Sequence, residues 1–354
     1  MRRTAPAARK EEKMALKLGI NGFGRIGGIT LRIALQQPEI FDVVAIAKRE
    51  ADIDYMIYMI KYDTVYGRFP GKIEKAEDGI IIDGKKILVY SEGDASKIPW
   101  KELGAEYIVD ATGAYVTSEA AQDHFIGGAK KVIMSAPAKD KVTPTFVYGV
   151  NQEKYESSMN IVSAASCTTN CLAPLCKVLQ TEYGIDGGLM STIHAATAKQ
   201  KVVDAKSLKD WRTGRSVFGN IIPTATGAAK AVGLVIPEIA GKLTGIAYRV
   251  PIADVSVIDL NVKLEKPTNY ADICEKVKQA SETYMKGVIE YVDDEVVSSD
   301  FIGASTPTCF DARQGIEMNE YWFKLVAFYD NEWGYTANML RLVAHMAEVD
   351  AQAK

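Results

Sequence analysis

The chain is short of the residues that metal and membrane chemistry need. Three of its 354 residues are histidines (His124, His194, His345), five are cysteines, and no C-x-x-C or H-x-x-x-H pair occurs. No zinc site is expected from such spacings. There is no run of 18 apolar residues, so no helical membrane span is expected. An excess of positive charge is also missing. The net charge is -3 and no basic stripe is visible, which argues against a chain dominated by nucleic-acid phosphate contacts. No apolar leader suited to secretion is seen, and Cys167, Cys171 and Cys176 crowd within ten residues. Free cysteines in a reduced, cytoplasmic setting are therefore expected rather than a disulfide framework.

What is present suits a globular protein: 47% hydrophobic and 25% charged residues, in a chain long enough for two domains. Residues 1–13 are charged and lack apolar periodicity, and are read as a disordered extension. A transit-peptide remnant there would make the location organellar, although Glu11 and Glu12 are atypical of one. From Leu16 onward, short apolar strands alternate with helix-like stretches. LKLGI, DVVAIA, AEYIVDAT, KVIMSAP, TFVYGV and NIVSAA read as strands, and Asp78-Gly79 and Asp83-Gly84 as hairpin turns. Such alternation predicts an α/β domain with a Rossmann-type doubly wound parallel sheet over 14–165. After Ser166 the strands lengthen, at 188–197, 243–250, 253–265 and 320–329, with helices at 168–182 and 270–287. This predicts an α+β domain over 166–335 with a mostly antiparallel sheet. The amphipathic end, 336–354, is expected to pack back on the first domain.

Gly22, Gly24 and Gly27 form G-x-G-x-x-G between the first strand and the first helix. Glycines there permit a tight turn and close approach to a pyrophosphate, which the helix N-terminus favours. Alone the motif also fits a plain glycine-rich turn. The end of the second strand bears on the dinucleotide, because an acid there accepts hydrogen bonds from the adenosine ribose. Here the strand runs into Lys48, Arg49 and Glu50. Two cations suit a 2′-phosphate, so NADP is expected in preference to NAD. The alternative has both cations in water and the ribose held by Glu50 or Asp52.

Cys167 follows a strand and opens a helix, where the helix N-terminus lowers a thiol's pKa. Cys171, one turn further on, reads as packing. A thiolate needs a base or ion-pair partner, and His194 ends a strand 27 residues later. His124 and His345 fall on helix faces and read as structural. Spacing alone does not choose between a Cys/His pair and a small buried thiol.

The stretches GINGFGRIG, SCTTNCLAPL, HAATA, KDWRTGR, NIIPTATGAAKAVG, LTGIAYRVP and YDNEWGY resemble the glyceraldehyde-3-phosphate dehydrogenases, in order and spacing, from Leu16 to the C-terminus. The resemblance implies a phosphorylating dehydrogenase in which Cys167 attacks the aldehyde and His194 acts as base. The resulting thioester is cleaved by inorganic phosphate. It also implies a substrate-phosphate pocket of Thr197 and Arg249. Ser166, Thr168, Arg212, Thr226 and Gly227 would hold the attacking phosphate. Asn21, Gly22, Phe23, Gly24, Arg25, Ile26 and Gly27 match the dinucleotide loop, and Ser135 and Asn331 the adenosine and nicotinamide positions. A homotetramer is implied too, with the loop from Lys199 to Asn220 across a subunit interface.

The chain departs from the family pattern at several places. NAD-specific members have an acid where Lys48 stands, and Gly-Pro where Ala205-Lys206 stands, in a loop lining a neighbouring subunit's cofactor site. Lys206 would add a third cation there. Ala164, Gly28 and Asn338 replace a usual asparagine and two usual arginines. Two other readings stay open: an erythrose-4-phosphate or other aldehyde dehydrogenase of the same superfamily, and a non-catalytic binding homologue.

Overall fold

The computed structural model describes residues 14–208 and 210–353, so the extension expected at 1–13 lies outside the described residues. Two sheets organise the chain. The first contains β1 (Leu16–Asn21), β2 (Phe41–Ala47), β3 (Ile73–Ala76), β4 (Gly79–Ile82), β5 (Lys85–Tyr90), β6 (Tyr107–Asp110), β7 (Lys131–Met134) and β8 (Ile161–Ser163). Its order is β3-β4-β5-β2-β1-β6-β7-β8. All neighbours from β5 to β8 are parallel, while β3, β4 and β5 form an antiparallel edge. The strands read as nearly unbroken apolar runs because helices cover both faces of a parallel sheet. These helices include α1 (Arg25–Leu35), α2 (Ile53–Lys61) and the short α3 (Ser118–Ala121) and α4 (Asp123–Ile126).

The second sheet has the order β10-β11-β9-β12-β15-β14-β13. Its members are β9 (Ile185–Ala195), β10 (Ile222–Ala225), β11 (Leu243–Val250), β12 (Ser256–Leu264), β13 (Ile289–Val292), β14 (Thr308–Asn319) and β15 (Trp322–Tyr329). Four of its six pairings are antiparallel. β12 alternates buried and less buried residues along its length, as a sheet covered on one face requires. The cover is α5 (Cys167–Glu182), α6 (Ala228–Val235) and α7 (Tyr270–Glu282), which share one core with Leu172, Val232, Val277 and Leu260. The last helix, α8 (Trp333–Gln352), buries Met339, Leu340 and Val343 in the core of the first sheet.

Several expectations are corrected. TFVYGV is not a strand. It contributes one isolated bridge, Thr145 to Ser163, and then turns, because its backbone is captured by side chains such as Asn151 Oδ1, which accepts from the Val147 N–H at 2.9 Å. The first hairpin turns at Glu77-Asp78, one residue before the expected pair. Gly79 belongs to β4 because a Cβ there would lie 2.2 Å from the Ile87 carbonyl oxygen of the next strand. The second hairpin does turn at Asp83-Gly84, with φ of 50° and 84°, as a two-residue hairpin wants. α7 stops at Glu282 rather than residue 287. The short elements β10, β13 and α6, and the long strand β14, had no prediction of their own.

Candidate active site

The glycine turn comes first because its geometry is set by backbone alone. Gly22 adopts φ of 90°, a conformation L side chains avoid. A Cβ on Gly27 would sit 2.1 Å from the Gly22 carbonyl oxygen, so only glycine lets α1 pack on the turn. Gly24 is the reverse case. It caps α1 with no side-chain hydrogen bond, no acid follows in the first turn, and a Cβ there would meet nothing within 4 Å. The first N–H groups of α1 therefore face open space with positive potential, a cradle that fits a pyrophosphate. Phe23 and Ile26 pack the turn onto the core, and Asn21 Nδ2 donates to Asp110 at 2.8 Å. Arg25 points elsewhere than a cradle residue would: its guanidinium grips Asp63 and Glu332, the latter through Nε at 3.0 Å, tying the turn to the start of α8.

The Gly22 N–H donates to the Ala47 carbonyl at 2.8 Å, which places Lys48 and Arg49 directly beyond the turn. Lys48 Nζ faces only the carbonyls of Arg49 and Glu50, both at 3.4 Å, and pairs with no carboxylate among the described residues. Arg49 is exposed and packs its stem on Gly93. Ser135 lies just past β7, its N–H on the Asp110 carbonyl at 2.9 Å. Lys206 is exposed in the 199–220 loop and is not brought to this turn within the chain.

Cys167 is presented by a strained corner. Between β8 and α5, Ala165 has φ of 57°, rare for a residue with a Cβ. Side chains hold the corner: Ser163 Oγ accepts from the Ala165 N–H at 3.1 Å, Tyr335 Oη donates to the Ala165 carbonyl at 3.2 Å, and Asn170 Nδ2 donates to the Ala164 carbonyl at 2.9 Å. Asn338, at a position where the family usually has arginine, donates to Asn170 Oδ1 at 2.9 Å and joins this support. Ser166 caps α5 by accepting from the Thr169 N–H at 3.1 Å, a contact worth about 1 kcal/mol.

β9 delivers the partner. His194 is buried beside Arg249, its register neighbour on β11, and His194 Nε2 lies 3.4 Å from Cys167 Sγ. His194 Nδ1 is 2.8 Å from the Ala195 carbonyl and 2.6 Å from Arg249 Nη1. Nδ1 thus faces an acceptor, the Ala195 carbonyl, and a donor, Arg249 Nη1; in the tautomer that donates to the carbonyl, Nε2 is bare toward sulfur. Burial, then the Arg249 guanidinium, push the imidazole down to about 3. It is therefore a neutral base throughout the physiological range.

The thiol behaves otherwise than its place at the helix N-terminus suggested. Burial raises its pKa above the usual value, against the opposing pull of Arg249 and of hydrogen bonding from Thr168. At rest the pair is thiol and imidazole, and the proton must move to Nε2 when sulfur attacks. Cys171, by contrast, is fully buried with its thiol toward the Phe328 carbonyl.

The anion-binding candidates surround this pair unevenly. Arg249 Nε is buried with no hydrogen-bond partner, an unmatched donor in a site that an anion would satisfy. Thr197 bonds Gln200 at 2.8 Å, and Thr168 Oγ1 bonds Tyr329 Oη at 2.9 Å. Thr226 Oγ1 accepts from the Ala228 N–H at 3.2 Å, and Gly227 caps α6 without a side chain. Arg212 is exposed on a single turn, Trp211–Gly214, beside a cleft also lined by Thr224 and Ile246. Asn331 is nearly buried after β15, its Oδ1 accepting from Ser256 Oγ at 2.6 Å. His124 and His345 are structural: the first is buried between Trp100 and Asp110, the second bonds the Gln152 carbonyl. No metal-binding cluster is found among the described residues.

Two supporting residues had no sequence prediction. Tyr329 bridges Thr168 and Thr192 and sets its ring edge-on to His194, and Ser256 holds Asn331. Tyr329 opens the quoted YDNEWGY stretch, which was the available signal. Ser256 looked like any residue of an alternating strand.

A Rossmann-type sheet with a phosphate-ready glycine turn, joined to a second sheet that sets His194 beside Cys167 of α5, is the plan of a dinucleotide-linked dehydrogenase. Residues 16–118 match the family described as glyceraldehyde 3-phosphate dehydrogenase, NAD binding domain, and residues 166–331 match its C-terminal domain. The chain is 53% identical to glyceraldehyde-3-phosphate dehydrogenase 2 of Mucor circinelloides f. lusitanicus, covering 96% of this chain and 100% of that one. It is 52% identical to a cytosolic glyceraldehyde-3-phosphate dehydrogenase of Gracilaria gracilis, covering 94% and 98%. It is 53% identical to a chloroplastic one of Arabidopsis thaliana, covering 95% and 79%. The chain belongs to the glyceraldehyde-3-phosphate dehydrogenase family.

Proposed function

We propose that the chain oxidises glyceraldehyde 3-phosphate to 1,3-bisphosphoglycerate through a thioester on Cys167, with NADP preferred over NAD. The observation that carries this reading is the 3.4 Å approach of Cys167 Sγ to a buried, neutral His194. His194 Nε2 takes the thiol proton as sulfur adds to the aldehyde carbon, and returns it to the new hydroxyl. It withdraws that proton again as the C–H bond breaks. The dinucleotide, when bound, accepts the hydride. The backbone of the 21–27 turn, with Ser135, would hold its adenosine side and Asn331 its nicotinamide side, while the Arg25 side chain braces the turn from behind. An oxygen of inorganic phosphate then attacks the thioester carbon and the sulfur leaves. We assign Thr197 and Arg249 to the substrate phosphate, and Ser166, Thr168, Arg212, Thr226 and Gly227 to the attacking one.

Kinetics with aldehyde and phosphate varied separately test this scheme. Arg249→Leu is expected to raise the Michaelis constant for the aldehyde about tenfold or more, as loss of a charge-assisted contact implies. Arg212→Leu should chiefly raise that for inorganic phosphate. Identical behaviour of both variants toward both anions would refute the two-pocket assignment. A turnover rate indifferent to phosphate would favour a hydrolytic aldehyde dehydrogenase of the same superfamily.

The NADP preference rests on Lys48 and Arg49 beyond the glycine turn, where no acid replaces Lys48. An exposed charge pair is worth only about 0.2–1 kcal/mol and a charge-assisted bond to phosphate roughly 1.5–3 kcal/mol, so two contacts of intermediate strength shift the preference by about ten- to a hundredfold. NADP affinity should fall with ionic strength more steeply than NAD affinity, and Lys48→Asp should reverse the preference. Better NAD binding at low salt, unchanged in Lys48→Asp, would end the idea.

We also propose a homotetramer, which sedimentation measures directly. The loop carrying Lys206 exposes Val202, Val203, Leu208, Trp211 and Phe218, an apolar surface suited to burial against another subunit. The units would divide at 165/166, with 336–354 completing the first. A cytoplasmic location stays the proposal, and an organellar one if residues 1–13 are a transit remnant. No helix among the described residues is long and apolar enough to cross a membrane.

A further inference from the structure

A second set of ionisable groups lies where the two sheets meet, away from the sulfur. Tyr66 follows α2, Asp254 lies between β11 and β12, and Asp330 follows β15. Tyr66 Oη is 2.9 Å from Asp254 Oδ2, and 3.0 and 3.2 Å from the two oxygens of Asp330. A phenol has one proton and donates it once. Asp330 is already built as an anion. Its Oδ1 accepts from the N–H groups of Glu332 at 2.9 Å and Trp333 at 2.6 Å, and its Oδ2 from that of Gly303 at 2.8 Å. The phenol therefore donates to Asp330. The remaining contact, oxygen to oxygen between Asp254 and Tyr66, is a hydrogen bond only when Asp254 brings a proton of its own. Asp254 is 5% exposed and its Oδ1 has no partner at all, which an ionised carboxylate could not sustain.

We infer that Asp254 is held protonated and that the chain Asp254 to Tyr66 to Asp330 is a positioning device for Asn331. The placement follows from sequence neighbours. Asp254 and Ser256 flank Val255, which is fully buried at φ of 63°, a strained setting for a β-branched residue. Ser256 reaches Asn331, and Asp254 reaches Asp330 through Tyr66. Two rungs thus fix the 254–256 corner against the 330–331 corner. Ionising Asp254 breaks one rung and sets two carboxylates against each other.

The charged groups facing Asp254 agree with this. Burial comes first, then the Asp330 carboxylate, with Glu332 adding to it, and together they lift the Asp254 carboxyl to about 8. The Val255 N–H opposes them by more than Glu332 adds, and the Tyr66 hydroxyl opposes them least. Arg25 lies 5.6 Å over the Tyr66 ring, with its charge committed to Asp63 and Glu332.

Two measurements on the full chain test the inference, each comparing wild type with Asp254→Asn, which keeps a neutral donor. The first is the melting temperature against pH without ligand. A carboxyl whose folded pKa is raised binds a proton that the unfolded chain has lost. Wild-type stability therefore falls as pH rises through neutrality, and this contribution levels off once Asp254 ionises. The difference in melting temperature should grow in favour of Asp254→Asn up to about pH 8 and then stay constant. Cys167 titrates in both proteins and cancels. Parallel curves would overturn the inference.

The second measurement is the dinucleotide dissociation constant over the same pH range, by fluorescence quenching. Its link to Asn331 rests on the proposed dinucleotide reading. The wild-type constant should rise roughly tenfold through the ionisation, the size of a modest coupling between sites. That of Asp254→Asn should stay at its neutral-pH value, and Tyr66→Phe should bind weakly throughout. Identical profiles in wild type and Asp254→Asn would overturn the positioning role. Absence of dinucleotide binding by wild type at any pH would instead sink the function reading, and the melting curves would still decide the proton.

Discussion

Replacing Cys167 with alanine is expected to lower aldehyde oxidation on the order of 10⁶-fold, the scale seen when a covalent nucleophile is removed. Dinucleotide affinity should be unchanged, because the glycine turn and Asn331 are held by contacts that do not include the thiol. The fold should tolerate the change. Cys167 is only partly buried, and the corner before it is fixed by Ser163, Asn170 and Tyr335 rather than by sulfur. Cys171→Ala is the control. Its thiol is buried and raised well above the usual value by desolvation, so it is expected to cost some stability and little turnover. Activity lost in Cys171→Ala and kept in Cys167→Ala would reverse the assignment.

The second large effect is expected at the histidine. His194→Asn should lower turnover by roughly 10²–10⁴-fold, the usual contribution of a positioned acid–base group. The variant should also be alkylated more slowly at Cys167. Burial raises the thiol above its ordinary value, and Nε2 at 3.4 Å is the acceptor placed to take its proton as sulfur attacks. The sign with pH follows from these directions. His194 is pushed down to about 3, so the base stays unprotonated from weak acid upward, and alkylation of wild type should rise with pH on the thiol alone. Wild-type alkylation and turnover rates in the variant would show that the imidazole is not the partner, whereas an acid limb near pH 6 in wild-type alkylation would show that its pKa is not pushed down.

The parts of the molecule that were legible in the sequence share one cause: a local pattern with a single physical solution. Gly22 and Gly27 announced a turn that no residue with a Cβ could make. Long alternation gave β12, and Asp83-Gly84 gave its hairpin. TFVYGV failed because Asn151 and its neighbours capture a backbone that strand propensity alone would have paired. Asp78-Gly79 slipped by one residue because Gly79 is required by the close approach of β5, which is information from another strand. The short β10 and α6 carried too few residues to show a period.

The site divides in the same way. Cys167 and His194 were legible as a candidate pair through the family resemblance, and their side chains do meet at 3.4 Å. The state of the thiol was not legible. The helix N-terminus argued for a lowered pKa, yet the depth of the site outweighs it. Arg249 illustrates the limit again: its placement over His194 comes from the parallel register of β9 and β11, which no local pattern encodes. Tyr66, Asp254 and Asp330, separated by up to 264 residues, come together only through the packing of one sheet on the other.

The central claim is a covalent acyl-enzyme on Cys167, and one single-turnover measurement tests it most directly. Enzyme is mixed with glyceraldehyde 3-phosphate and excess dinucleotide in phosphate-free buffer, quenched in acid, digested and weighed by mass spectrometry. The account predicts a burst of reduced dinucleotide equal to the concentration of active subunits, followed by near-arrest, with the acyl mass on the Cys167 peptide and its disappearance on adding phosphate. Sustained turnover at the full rate without phosphate, or the acyl mass on any residue other than Cys167, would contradict it.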